Sequence, residues 1–271
     1  MIIPIYIGEM ASKEIRGMLL ISFDLGVKIG ALGSYILFRY TSNFVISIIC
    51  GTLVVIYMLG IFYIPESPLY LFRKQQFGIA IESIQRIRGN SYNYAAEIAE
   101  LQEQSDELDA TKELKKPARR KSFFIIICMF FFMQLSGINV VLFYAPSIFM
   151  EAGVEFNPMI IIYLIQLLTV LATMFVVDRY GRKLLLISSL SLTMIGLIGN
   201  GTFFLVGYDG IEWILLFFLI IFIIGFSLGI SSIPFVLLGE LFTFDSKRVI
   251  APIALTLNFA FAYFVALIFT L

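Results

Sequence analysis

Apolar residues in this chain gather into seven long runs with short polar breaks between them, over residues 18–38, 44–64, 122–143, 157–177, 184–206, 211–242 and 249–271. A helix needs roughly 18–20 apolar residues to cross about 30 Å of hydrocarbon, and each run supplies them. No water reaches that depth to satisfy backbone N–H and C=O groups, so each run is predicted to be a helix. The short alternating strands of an outer-membrane barrel do not occur. The sixth run is too long for one straight crossing, and a bend or break is expected around Gly225, Gly229 and Pro234.

The polar breaks alternate in charge. Lys and Arg cluster before the first run (Lys13, Arg16), in 66–121, in 178–183 and in 245–248. The breaks between these carry Arg39, then Glu151 and Glu155, then Asp209 and Glu212. Lys- and Arg-rich loops stay in the cytoplasm, which predicts seven crossings beginning inside and a cytoplasmic segment 66–121. Within that segment Phe77, Ile81, Ile84 and Ile87 would line one side of a helix ending near Gly89, and a second helix is expected over 93–108. The acidic run 97–109 is followed by the basic run 112–121. Two readings fit: a solvated linker with a basic patch beside anionic lipid, or a small helical cap against the span ends.

Composition sharpens this picture. The chain is 60% hydrophobic and 14% charged, with a mean hydropathy of +0.96, outside the range of soluble domains. Formal charge is zero, so no global field points to nucleic acid. Cys50 and Cys128 fall inside apolar runs and read as packing residues rather than a disulfide or metal pair. There is no histidine, and nothing asks for a metal, a cofactor or an enzyme's catalytic group. The start, Met1-Ile-Ile-Pro-Ile-Tyr6, lacks the basic flank of a cleavable signal.

Charged motifs mark the run ends. Pro4-Ile-Tyr-Ile-Gly-Glu9 leads to Arg16-Gly17, Pro65-Glu66-Ser67-Pro68 closes the second run, Asp178-Arg179-Tyr180-Gly181-Arg182 joins the fourth to the fifth, and Glu240 ends the sixth. Arg179 or Arg182 could pair with Glu240, and Glu9 or Glu66 with Arg16. Exposed pairs of this kind are worth about 0–1 kcal/mol each, weak enough for latches that open and close. The competing reading is plain anchoring of span ends. Asp178-Arg179-Tyr180 also matches the D-R-Y of seven-helix receptors, but those start outside and carry it at their third span.

In this order and spacing, with Gln134-Leu-Ser-Gly-Ile-Asn139 in the third run, the motifs resemble the sugar-porter family of the major facilitator superfamily, most closely its animal glucose and insect trehalose carriers. The likeness covers essentially the whole chain. It implies an all-α membrane protein with a partial major facilitator fold, about seven transmembrane helices plus a cytoplasmic helical segment. The family has twelve spans in two six-helix halves. On that pattern residues 1–65 would hold the end of span four and spans five and six, 66–121 the cytoplasmic linker, and 122–271 spans seven to eleven.

The third run carries the polar constellation Gln134, Ser136, Asn139 and Tyr144, with Gly137 allowing local unwinding. Buried amides are costly unless paired, and they pair well with hydroxyls because each offers donors and an acceptor. Amides with aromatic faces therefore suit a sugar; the bland alternative is an interhelical amide bond. The resemblance implies that Gln134, Asn139 and Asn258 contact sugar and that Phe143 and Tyr144 form an outer gate.

The chain also departs from the family. Met133 replaces a glutamine, and Phe235 and Phe259 stand where tryptophan is usual, able to stack but without an indole N–H. Asp24 occupies a place where the family tends to have glutamine, with Lys28 one turn later. A charge at mid-membrane costs about 2.5–3.5 kcal/mol on insertion scales, and the i,i+4 spacing lets the two partly neutralise each other. Asp24 reads either as an altered substrate contact or proton-sensitive group, or as half of a self-compensating pair.

The function implied is facilitative transport of a hexose or trehalose by alternating access, in a plasma-membrane protein whose partners are the sugar and the lipid bilayer. A sugar-binding sensor that does not transport, or an inactive truncated product, are the alternatives.

Overall fold

The computed structural model describes residues 2–12, 15–89, 98, 117–151, 159–206, 212–242 and 244–270. Among them are α1 (Ile2–Met10), α2 (Arg16–Tyr40), α3 (Asn43–Ile61), α4 (Pro68–Arg73), α5 (Phe77–Arg88), α6 (Pro117–Leu135), α7 (Ile138–Glu151), α8 (Met159–Tyr180), α9 (Arg182–Val206), α10 (Glu212–Gly225), a π-turn (Phe226–Ile230), α11 (Ile233–Glu240) and α12 (Phe244–Thr270). Among the described residues seven stretches are long and apolar enough to cross a membrane, and they coincide with the seven predicted runs. The third span is divided: α6 stops at Leu135 and α7 starts at Ile138, with Gly137 between them at φ 78°. The sixth is divided too, by the π-turn, at the glycines and proline where a break was expected.

Helix α3 ends at Ile61, three residues earlier than its apolar run, because the backbone tightens through Tyr63 N–H to Gly60 C=O (3.1 Å) and Ile64 N–H to Ile61 C=O (3.2 Å) before Pro65, whose ring disfavours helix at the residue ahead of it. No residue of α3 is buried. Beyond Pro65, α5 forms over the predicted stretch and ends at Gly89, φ 89°. Its buried stripe is Ala80, Ser83 and Ile84, so the face is turned from the Phe77–Ile87 line; Ile87 is exposed. Ser83 Oγ donates to Glu66 C=O (2.8 Å) and Arg86 Nη2 to Tyr63 C=O (3.0 Å), tying α5 to the end of α3. The second helix expected over 93–108 lies outside the described residues except for Ile98, as do Lys13, Glu155 and Asp209.

Close packing centres on α9 and α10. A Cβ on Gly196 would fall 2.6 Å from Phe222 Cα, and one on Gly225 would fall 2.5 Å from Thr193 N. Small residues thus let two backbones touch, the usual route to helix association in lipid. Phe222, Ile223 and Phe226 fill the space between α8, α9 and α10. Leu20 and Ile21 of α2 pack with Val170, Val177, Ile233 and Val236, joining the first span to the fourth and sixth. Ile126 and Phe130 of α6 pack on Ile250, Ala251 and Ala254 of α12.

Candidate functional site

Two polar centres lie inside the helical body and a third at the Lys- and Arg-rich end. The first is set by the break in the third span. Ser136 Oγ donates back to Met133 C=O (2.7 Å) and Gly137 N–H to Gln134 C=O (3.1 Å), so the helix stops with its last groups satisfied. That places Gln134 in the last turn of α6 and Asn139 in the first turn of α7. Asn139 Nδ2 donates to Gln134 Oε1 and Gln134 Nε2 donates to Asn258 Oδ1, each at 2.7 Å. All three amides belong to one chain of hydrogen bonds across α6, α7 and α12. Asn139 Oδ1 and Asn258 Nδ2 make no hydrogen bond among the described residues. The chain of amides therefore ends in one free acceptor and one free donor, the pair that a hydroxyl group matches.

One turn before Gln134 on α6 stands Phe130, the start of an aromatic cluster. Phe235 of α11 lies 5.2 Å from Phe130 and 6.0 Å from Phe23 between ring centroids, within the range of favourable edge and tilted contacts. Toward the end remote from the basic loops, Tyr144 packs on Phe269 of α12 at 4.9 Å. Phe143, its expected gate partner, points away and is 69% exposed. Phe259 is exposed as well.

The second centre joins α2 to the sixth span. Asp24 and Lys28 are both buried, with Nζ 3.9 Å from Oδ1. Asp24 Oδ2 accepts from Ser231 Oγ and Ser232 Oγ, each at 2.6 Å. Nothing local in the sequence links these serines to an acid more than 200 positions earlier. The π-turn beside them has its own support. Ser189 Oγ donates to Gly225 C=O (2.6 Å) and accepts from Ile230 N–H (2.9 Å), so one side chain of α9 holds the two backbone groups that the i→i+5 spacing of the turn brings together. The sequence held no signal for this serine.

At the basic end, Arg182 Nη2 reaches Glu240 Oε1 at 2.7 Å and Asp178 Oδ1 at 2.9 Å. Asp178 Oδ2 also accepts Met18 N–H at 3.0 Å, satisfying an orphan donor at the start of α2. Gly17 is what permits this, since a Cβ there would collide with Asp178 Oδ1 and lie 2.6 Å from Arg182 Nη2. Arg179 is exposed in the last turn of α8. Arg16 Nη2 contacts Ala11 C=O at 3.4 Å. Glu66 is exposed, its backbone C=O accepting Ser83, and Tyr6 Oη donates to Pro65 C=O at 2.6 Å. Glu9 is half-buried on α1. Lys247 is buried nearby; desolvation, and then the Arg16 charge, lower its pKa to about 8, against the pull of Glu9 and Glu240.

A family model described as "Sugar (and other) transporter" matches residues 1–271. The chain is 30% identical over 276 residues to the facilitated trehalose transporter Tret1 of Apis mellifera ligustica, covering 97% of this chain and 55% of that protein. It is 28% identical to Tret1 of Anopheles gambiae, covering 97% and 35%. Among solved structures, the proton:xylose symporter XylE bound to 6-bromo-6-deoxy-D-glucose matches with a TM-score of 0.82 at 26% identity, over 98% of this chain and 59% of that one. The inward-open conformation of XylE from E. coli matches at 0.65 and 25% identity, over 97% and 58%. The chain thus spans about half the length, or less, of the curated relatives it matches.

Proposed function

Since the chain belongs to the sugar (and other) transporter family, a family of multi-pass membrane proteins, we propose that it acts in moving a neutral sugar, a hexose or trehalose, across the plasma membrane. The observation that carries this is the chain of amides Asn139–Gln134–Asn258, which offers a free acceptor and a free donor, with an aromatic cluster starting one turn away on α6. A sugar presents hydroxyls that both donate and accept, and apolar C–H faces that stack on rings. Gln134, Asn139 and Asn258 would bind the hydroxyls and Phe235 a ring face, while Tyr144 would border the outer side.

The proposed cycle is alternating access without covalent chemistry. Residues 1–65 and 122–271 would belong to two halves that rock about the sugar, with 66–121 a cytoplasmic connection and the Lys- and Arg-rich end facing the cytoplasm. Arg182, Asp178 and Glu240 would latch that end, with Glu9, Arg16, Glu66 and Arg179 around them. The closed latch agrees with a conformation nearer the sugar-analogue-bound neighbour than the inward-open one. The relatives' names speak of facilitated transport of trehalose, and the same downhill mode is proposed here.

Uptake of labelled trehalose and glucose into proteoliposomes tests this reading. Saturable uptake of either, inhibited by the other or by excess unlabelled sugar, is expected. Sugar binding without uptake would instead make the protein a sensor, and the absence of both binding and uptake would contradict the proposal outright.

A further inference from the structure

Asp24 sits inside a membrane-spanning helix, yet one oxygen of its carboxylate is already occupied by hydroxyl donors and the other faces a cation. Two hydroxyl donors share Oδ2 at 2.6 Å and the Lys28 ammonium faces Oδ1 at 3.9 Å. Asp24, Ser231 and Ser232 are each more than nine-tenths buried. Hydrogen bonds from hydroxyls to a carboxylate are short and about twice as strong as neutral ones. A sugar hydroxyl would have to displace one of them to reach Oδ2, and at Oδ1 it would have to share the oxygen with the facing Lys28 ammonium.

The two serines stand at a mechanically distinctive place. They are the residues between the π-turn and α11, where the sixth span leaves regular helix. Ser189 grips the turn from α9 through its backbone groups, and α9 packs so tightly on α10 at Gly196 and Gly225 that this grip moves with the span. The grip from Asp24 comes from α2 instead. In the division proposed above, α2 and the sixth span lie in different halves, so the acid bridges them. Asp178 bridges the same two parts at the basic end through Met18 N–H.

We propose that Asp24 is a positioning residue and not a sugar ligand: it clamps the break in the sixth span through the Ser231 and Ser232 hydroxyls in this conformation. The clamp lets go when the halves rock apart. This inference rests on the alternating-access reading, but the clamp itself can be measured without transport.

The experiment is hydrogen–deuterium exchange on the whole protein in nanodiscs, following peptides that cover 225–236. Asp24→Asn should speed exchange there by about tenfold, and Ser231→Ala with Ser232→Ala should do the same. Combining all three should add nothing further, because one clamp has been removed from either side. Ser232→Thr keeps both hydroxyls and should exchange as wild type. Multiplying effects, or unchanged exchange in Asp24→Asn, would overturn the clamp. Uptake kinetics supply the second arm. A clamp predicts that Asp24→Asn changes the maximal rate while the half-saturating sugar concentration stays within twofold. A half-saturating concentration raised more than tenfold would make Asp24 a sugar ligand and overturn the inference. Non-additive exchange in a protein that transports no sugar would uphold the clamp and count against the carrier reading alone.

Discussion

Arg182 and Glu240 meet at 2.7 Å although 58 residues separate them, joining the first turn of α9 to the last turn of α11. The same guanidinium nitrogen holds Asp178, which in turn caps α2 through Met18 N–H. About a quarter of each side chain in the Arg182–Glu240 pair is exposed, so solvent screens it and its net worth stays near 0–1 kcal/mol. A pair of that strength can be made and broken by modest differences between two conformations.

Glu240→Gln should therefore lower thermal stability only slightly, by less than about 1 kcal/mol. It should still shift the conformational balance up to roughly fivefold toward opening at the basic end. Exchanging the charges, with Arg182→Glu and Glu240→Arg together, should recover part of the loss in a double-mutant cycle on melting temperature. Strictly additive effects would mean that the two residues do not couple.

Gly17→Ala is expected to do more harm than Glu240→Gln. Its Cβ has to push aside the ends of the Asp178 and Arg182 side chains and so loosens the Met18 N–H bond to Asp178, a destabilisation of about 0.5–1.5 kcal/mol. Gly26→Ala, in the same helix, meets nothing within 4 Å and should be neutral or stabilising by about 0.5–1 kcal/mol. Melting temperatures of the two variants in one detergent check the contrast.

Ser189→Ala should destabilise by about 1–2 kcal/mol, because it removes the two hydrogen bonds by which α9 holds the backbone of the buried π-turn. Ser191 bonds only to its own helix and is exposed; its alanine variant should stay within about 0.5 kcal/mol of wild type.

How far the sequence foretold these features depends on the range of the interaction. The length of an apolar run and the placement of glycine and proline act locally, and they located every span as well as the break near Gly225–Pro234. Gly137 similarly announced the divided third span. The Lys28–Asp24 pair was legible because i,i+4 neighbours share a helix face. The Ser231 and Ser232 bonds to Asp24 were not, since they depend on how α2 rotates against a helix distant in sequence. Ser189 and Lys247 were missed for the same reason: a lone serine or lysine carries no sign of the burial it will meet. Phe143 and Tyr144 are adjacent and equally aromatic, and only the rotation of α7 decides that Tyr144 alone packs on α12.

Lys247 gives a pH signature. Its pKa is lowered to about 8, while in the unfolded chain it is about 10.4. Between these values the unfolded chain binds more protons, so this residue makes stability rise with pH from about 8 to 10.4. Below about 8 its penalty is complete, on the order of 3 kcal/mol. Lys247→Met should raise the melting temperature at pH 7 and flatten that rise. An unchanged slope in the variant would assign the pH dependence to other groups.

The amide chain is the centre of the account, and sugar counterflow in proteoliposomes tests it most directly, comparing wild type with Gln134→Ala. Truncating Gln134 removes the residue that links Asn139 to Asn258, so the half-saturating sugar concentration should rise at least about tenfold, equivalent to about 1.4 kcal/mol. A variant that exchanges sugar with unchanged half-saturation would contradict the assignment of this amide chain as the sugar site.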